Sequence, residues 1–187
     1  MRAFVAIELC NAARSSLLTL QEDLDQGRVV PEENLHLTLA FLDDQPQSVL
    51  EVLHEVLSDI RMPAFEMSFS GVAARGGRTP ALIWAEVEKS VRLQRLHDGV
   101  RAAAHQAGIE LPRRRFRPHV TLARISRTAR VDQGRLTAWL ARHGTFRAGP
   151  FETRSFGLYR SQLGPGGAIY ENLAQYPLAK SGLVSSH

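Results

Sequence analysis

The sequence predicts a mixed α and β domain made of two related units that face a common cleft. Two observations carry this. Strand-like and helix-like stretches alternate along the chain, and one short string recurs. His36-Leu37-Thr38-Leu39-Ala40-Phe41-Leu42 and His119-Val120-Thr121-Leu122-Ala123-Arg124-Ile125 match at His, Thr, Leu and Ala in one register. Each copy follows a helical stretch and a loop, and each precedes another helix. No linker or low-complexity segment separates them, so two lobes in one compact domain are expected.

The elements follow in order. Residues 2–9 alternate as a strand, and Leu17, Leu18, Leu20 and Leu24 give 12–24 the spacing of an amphipathic helix. Residues 27–34 read as a loop broken by Pro31, and 35–42 as an apolar strand. Val49, Leu50, Val52, Leu53, Val56, Leu57 and Ile60 predict a helix over 47–60. A strand over 65–72 and a loop or hairpin connection over 73–80, around Gly76 and Gly77, close the first half. The second half predicts a strand over 81–87, a helix over 91–106 closed by Gly108, and a basic loop over 111–118. A strand over 119–125 and a helix over 132–142 capped by Asp132 come next. Strands over 151–160 and 168–173 flank the turn Gly164-Pro165-Gly166-Gly167. The domain is expected to span 1–180, with a loose tail over 181–187.

Composition narrows the class. The 187 residues are 44% hydrophobic and 22% charged, which suits a chain able to bury a core. No apolar run approaches the roughly 20 residues needed to span a bilayer, so no membrane association is expected. The stretch Met1 to Leu9 meets Glu8 too early for a signal-peptide core, and a cytoplasmic location is the expectation. A single cysteine, Cys10, permits neither an internal disulfide nor a cysteine-based metal site; it is expected to fill apolar space at the end of the first strand. The net charge of +4 hides an asymmetry. Residues 1–60 hold three basic side chains (Arg2, Arg14, Arg28) against eleven acidic, and the rest of the chain twenty against eight. Nearly all are arginines, which suit bidentate phosphate contact. The run Arg113-Arg114-Arg115-Phe116-Arg117, continued by Arg124, Arg127 and Arg130, makes a phosphate-bearing ligand plausible, with a solvated basic face as the rival.

The repeat carries chemistry. On a regular strand His36, Thr38 and Ala40 share one face, and His119, Thr121 and Ala123 do the same. Each unit then offers an imidazole beside a hydroxyl, with an alanine leaving room. With an ordinary pKa near ~6.5, one imidazole can accept a proton while the other donates one. Threonine hydroxyls can hold non-bridging phosphoryl oxygens. His54, His97 and His105 fall on helices, His143 at a helix end and His187 at the terminus, so their claims are weak. Metal use of the pair is an alternative, but no cysteine cluster or His-Glu helix motif supplies further ligands. Neither glycine cluster matches a phosphate-binding loop ending in Gly-Lys-Ser/Thr.

With these residues in place, the sequence resembles the two-histidine (2H) phosphoesterases, in the branch of RNA 2′,3′-cyclic phosphodiesterases also called 2′-5′ RNA ligases. The likeness covers Arg2 to Ile7, Asn34 to Leu42, Phe116 to Arg124, Leu158 to Ser161, Tyr170 and Tyr176 to Leu178. It implies a bilobal α+β fold with pseudo-twofold symmetry, each lobe a mainly antiparallel sheet with helices outside. It implies motifs at 36–39 and 119–122, His36 as proton donor, His119 as proton acceptor, Thr38 and Thr121 on the phosphoryl oxygens, and no metal or cofactor. Arg124 matches an arginine that contacts phosphate in that family. Its parity is opposite to that of His119, so a regular strand would aim it away, and a bulge or strand end is needed to bring it back. Its counterpart Phe41 is expected to pack in the core. The partner implied is RNA or a nucleotide ending in a 2′,3′-cyclic phosphate, hydrolysed to a 2′-phosphate by a monomer. A non-enzymatic RNA-end-binding module and 2′-5′ ligation as the main activity stay open as alternatives.

Overall fold

The computed structural model describes residues 1–76, 80–126, 128–165 and 167–179. Gly77, Arg127, Gly166 and the 181–187 tail, each singled out above, lie outside the described residues, as does Lys180 at the end of the expected domain. The elements are β1 (Arg2–Glu8), α1 (Asn11–Gln21), β2 (Arg28–Val29), a 3₁₀ turn (Glu32–Asn34), β3 (His36–Asp44) and α2 (Gln47–Ser58). Then come β4 (Phe65–Gly76), β5 (Pro80–Val87), α3 (Val91–Gln106), β6 (His119–Arg124) and α4 (Gln133–His143). β7 (Arg147–Thr153), β8 (Ser155–Gly164) and β9 (Gly167–Pro177) complete the order.

The strands form one sheet along the path β7-β4-β5-β6-β3-β1-β8-β9, with β2 pairing β6 beside it. Every named strand pairing is antiparallel. The path is symmetric about its centre, where the two motif strands meet. From that junction outward, β6 and β3 are each followed by a partner (β5 or β1), a third strand (β4 or β8) and an edge strand (β7 or β9). The mixed α+β class and the mostly antiparallel sheet match expectation.

Strand alternation drives the packing. Val5, Ile7, Leu37, Ile83, Ala85 and Val120 are fully buried and join the core, while Phe4 and Trp84 stand on the other face and lie outside the main cluster. Helices close that core with single apolar stripes: Leu17 and Leu20 from α1, Leu53 and Leu57 from α2, Leu93, Leu96 and Val100 from α3, Leu136 and Trp139 from α4. The halves interlock through these helices. α3 packs on β3 as well as β4, α1 reaches β7, and α2 lies on α3.

Several boundaries differ from the sequence reading. The 27–34 loop contains the short strand β2 and the 3₁₀ turn. β4 runs on to Gly76, beyond the 65–72 strand expected, and β5 begins at Pro80. The single strand predicted over 151–160 is two: β7 pairs with β4 and β8 with β1. Alternation could not reveal β7, because Ala148, Phe151 and Thr153 turn inward from a stretch that is otherwise polar or exposed. Cys10 is exposed at the N-cap of α1 instead of filling the core. The Asp132 cap of α4 is as predicted, its Oδ1 accepting from Arg135 N–H at 3.0 Å.

The two half-sheets join through one registered pair, Leu37 opposite Val120, both fully buried. Replacing Leu37 by Ala should therefore lower unfolding free energy by about 2–5 kcal/mol. The check is urea unfolding; a loss under about 1 kcal/mol would mean that the junction does not hold the halves together.

Candidate active site

The Leu37–Val120 pair sets the geometry of the cleft. One step along the antiparallel register either way puts His36 opposite Thr121 and Thr38 opposite His119. Opposed residues share a face with Cβ atoms ~4.5–5.5 Å apart, so two imidazoles and two hydroxyls form one diagonal quartet. Residues 36–41 and 119–124 show the same burial sequence: a half-buried histidine, a buried aliphatic, a half-buried threonine, two buried residues and an exposed one.

That shared pattern breaks strict alternation, and the cause is a bulge in each strand. Along β1, Val5 pairs with Ala40 and Ala6 with Thr38, so Leu39 has no opposite number. Along β5, Ile83 pairs with Ala123 and Trp84 with Thr121, so Leu122 is skipped. The extra residue stands at the third position after the histidine in both copies, and it inverts the parity beyond it. Ala40 and Ala123 thereby turn into the core, 6% and 0% exposed, and do not line the polar face as regular alternation predicted. Phe41 and Arg124 turn onto the cleft. Phe41, expected in the core, is 59% exposed and pairs with Phe4 across the strands. Arg124 is exposed on the His119 and Thr121 face, and its charge is felt at His36.

Both imidazoles are held in one tautomer. His36 Nδ1 lies 2.7 Å from the Asn34 carbonyl, and His119 Nδ1 lies 2.7 Å from the Arg117 carbonyl. A carbonyl has no proton to give, so Nδ1 carries the hydrogen and Nε2 is left as the basic atom of the neutral ring. His36 Nε2 is 3.0 Å from Thr38 Oγ1, where the hydroxyl donates to it. Each ring also rests on an aromatic side chain. Phe4 lies 4.9 Å from His36 and Tyr170 5.2 Å from it edge-on; Trp84 lies 5.3 Å from His119. Phe116 and Arg117, in the basic loop, are fixed from behind: Phe116 stacks at 3.8 Å on the buried His97 of α3. Asn34 is fixed by its Nδ2 donating to the Ala168 carbonyl at 2.8 Å.

Loss of water around His36 lowers its pKa from 6.5 to about 4; the Asn34 carbonyl opposes this, and the positive charges of Arg124 and His119 add to it. The free site is thus short of negative charge, and an anion between the threonines would relieve it. Phe4, Trp84 and Tyr170 were not singled out as site residues by the motif search. The signal for the first two was strand parity: Phe4 alternates against Val5 and Ile7, and Trp84 against Ile83 and Ala85. Among the described residues the remaining histidines lie elsewhere. His54 Nδ1 meets the Tyr176 hydroxyl at 3.0 Å, and His143 pairs with Asp23 at 3.0 Å.

The two His-x-Thr motifs thus meet in one cleft on a symmetric antiparallel sheet, and comparison with known proteins gives the family. The chain belongs to the 2′-5′ RNA ligase superfamily, whose sequence profile matches residues 9–164. It is 32% identical to an RNA 2′,3′-cyclic phosphodiesterase of Aeropyrum pernix, over 84% of this chain and 89% of that protein. It is 29% identical to one of Archaeoglobus fulgidus, over 92% and 98%. Among solved structures, E. coli LigT complexed with 3′-AMP superposes with a TM-score of 0.77 at 26% identity, covering 96% of this chain and 98% of that one.

The depressed His36 pKa yields a signed prediction. In the free protein the His36 ring should titrate near pH 4 by NMR, and bound phosphate should move that titration upward. A ring neutral when folded and more basic when unfolded contributes stability that is full above pH 6.5 and lost as pH falls through about 4. His36→Gln should therefore flatten the loss of stability over that window. A His36 titration near 6.5 that ignores phosphate would contradict this electrostatic picture.

Proposed function

We propose that the chain hydrolyses 2′,3′-cyclic phosphates at RNA ends or on nucleotides, giving a 2′-phosphomonoester without a metal ion. The observation that carries this reading is the diagonal quartet of His36, Thr38, His119 and Thr121 with Arg124 turned onto the same face. The family and the names of its relatives support the substrate class.

In this reading residues 1–180 act as one catalytic unit, complete within a single chain. Thr38 and Thr121 donate to the non-bridging phosphoryl oxygens, and Arg124 offsets the charge that grows there. His119 Nε2 takes a proton from water, and the resulting hydroxide attacks phosphorus in line with the 3′ oxygen. The P–O3′ bond breaks, and protonated His36 delivers its Nε2 proton to the leaving oxygen. One water is consumed and the proton count balances. Burial and Arg124 keep His36 neutral in the free protein, so its role as donor depends on the substrate anion raising its pKa. As the phosphate arrives, Thr38 turns its hydroxyl from Nε2 to a phosphoryl oxygen, and Nε2 becomes free to hold a proton.

The direct test is incubation with an oligonucleotide ending in a 2′,3′-cyclic phosphate. The product should gain one water in mass and become sensitive to phosphatase; recovery of joined strands instead would favour ligation, and binding without turnover would favour an RNA-end-binding module. His36→Ala or His119→Ala should lower kcat by roughly 10²–10⁴, and near-normal turnover in either would remove its assigned role. Arg124→Ala should cost roughly 10²–10³ in kcat. Activity should persist in chelator; loss restored only by added metal would overturn the metal-independent mechanism.

A further inference from the structure

A second arginine stands beside Arg124, from the part of the chain poorest in basic residues. Arg28, in the two-residue strand β2, stands directly opposite Arg124 of β6. Opposed residues share a face, so Arg28 projects on the Arg124 side of the sheet, with Cα atoms ~4.5–5.5 Å apart. Like charges in that relation repel and weaken a sheet. Neither guanidinium has a carboxylate partner among the described residues, whereas Arg14 is bound to Glu8 at 2.9 Å.

The fold takes trouble to put Arg28 there. Gly27 adopts φ +83°, and a Cβ on it would lie 2.7 Å from Ile125 Cγ1 and 2.9 Å from the Arg124 carbonyl oxygen, so only glycine lets β2 approach β6. The Val30 N–H donates to the carbonyl of the bulged Leu122 at 2.8 Å, and Gln21 Nε2 donates to both the Val30 and Leu122 carbonyls at 3.0 and 2.9 Å. The Arg28 guanidinium rests on the β8–β9 turn: a Cβ at Gly167 would lie 3.0 Å from its Nη2. The next residue, Ala168, holds Asn34, whose carbonyl fixes His36. Arg28 therefore sits at the mouth of the site, one strand beyond Arg124.

We propose that Arg28 binds the phosphodiester next to the terminal cyclic phosphate, so that the site favours RNA ends over cyclic mononucleotides. Two unpaired guanidiniums held side by side suit two successive phosphates of one strand, and their mutual repulsion is relieved when both are occupied. This rests on the cyclic-phosphate reading above and adds a substrate preference to it.

The test compares Arg28→Gln with the unsubstituted protein on a 2′,3′-cyclic mononucleotide and on a short RNA ending in a 2′,3′-cyclic phosphate. The variant should lose about ten-fold more kcat/KM on the RNA than on the mononucleotide, through KM, as expected for one lost charge-assisted contact. Equal losses on both substrates, or none on either, would overturn the assignment. Binding of the same RNA, 5′-labelled and followed by anisotropy in a His119→Ala background, separates this from the hydrolysis proposal. There Arg28→Gln should reduce the slope of log K against log salt by about 0.7. RNA that binds with that Arg28-dependent slope but is never hydrolysed by the unsubstituted protein would remove the enzyme reading and leave Arg28 in place. An unchanged slope would remove Arg28 whatever the turnover.

Discussion

In each motif strand the third residue after the histidine finds no partner on the neighbouring strand, and the site depends on that surplus residue. Leu39 and Leu122 have no opposite number on β1 and β5, so the strand beyond them turns its faces over. Without the bulge, Ala40 and Ala123 would line the cleft, and Phe41 and Arg124 would point into an aliphatic core. A guanidinium cannot be buried there unpaired without a large desolvation cost. With the bulge, the alanines complete the core and the strand delivers its histidine, its threonine and its sixth residue to one face. The bulged carbonyl of Leu122 is not wasted: Val30 and Gln21 both donate to it, which anchors β2 and the loop after α1.

The second constraint is that the two motif strands meet through one registered pair. Because Leu37 lies opposite Val120, each histidine faces the other strand's threonine. The halves are equivalent in backbone but not in chemistry. The His36 side is enclosed by Phe4 and Tyr170, which hold its pKa down; the His119 side opens beside Trp84 and the arginine-rich loop. Where one repeat carries Phe41, the other carries Arg124. An apolar wall and a cationic wall on either side of four hydrogen-bonding groups suit a ligand with one anionic centre and one flat or apolar flank.

Much of this was legible in the amino-acid string. The His-x-Thr repeat and the helix and strand periodicities located the motif strands, their order and the four polar residues, because each is encoded within a few consecutive positions. The parity conflict at Arg124 even pointed to a bulge. What stayed hidden depends on contacts across long separations. Nothing local to Phe41 says that β3 is bulged two residues earlier, so strict alternation sent it inward. β7 carries too few inward residues to announce itself and exists because β4 offers an edge. Arg28 looked like an ordinary loop arginine until β2 was found paired with β6, ninety-six positions away.

In the proposed mechanism the Leu37–Val120 pair and the two bulges together bring His36, Thr38, His119, Thr121 and Arg124 around one phosphate. A crystal structure of the protein with a nucleoside 2′-phosphate measures this most directly. Phosphoryl oxygens are expected within hydrogen-bonding distance of both threonine hydroxyls, both Nε2 atoms and the Arg124 guanidinium, with Phe41 on the cleft side. A phosphate bound along the Arg115–Arg117 loop instead, or an Arg124 side chain turned away from it, would contradict the account.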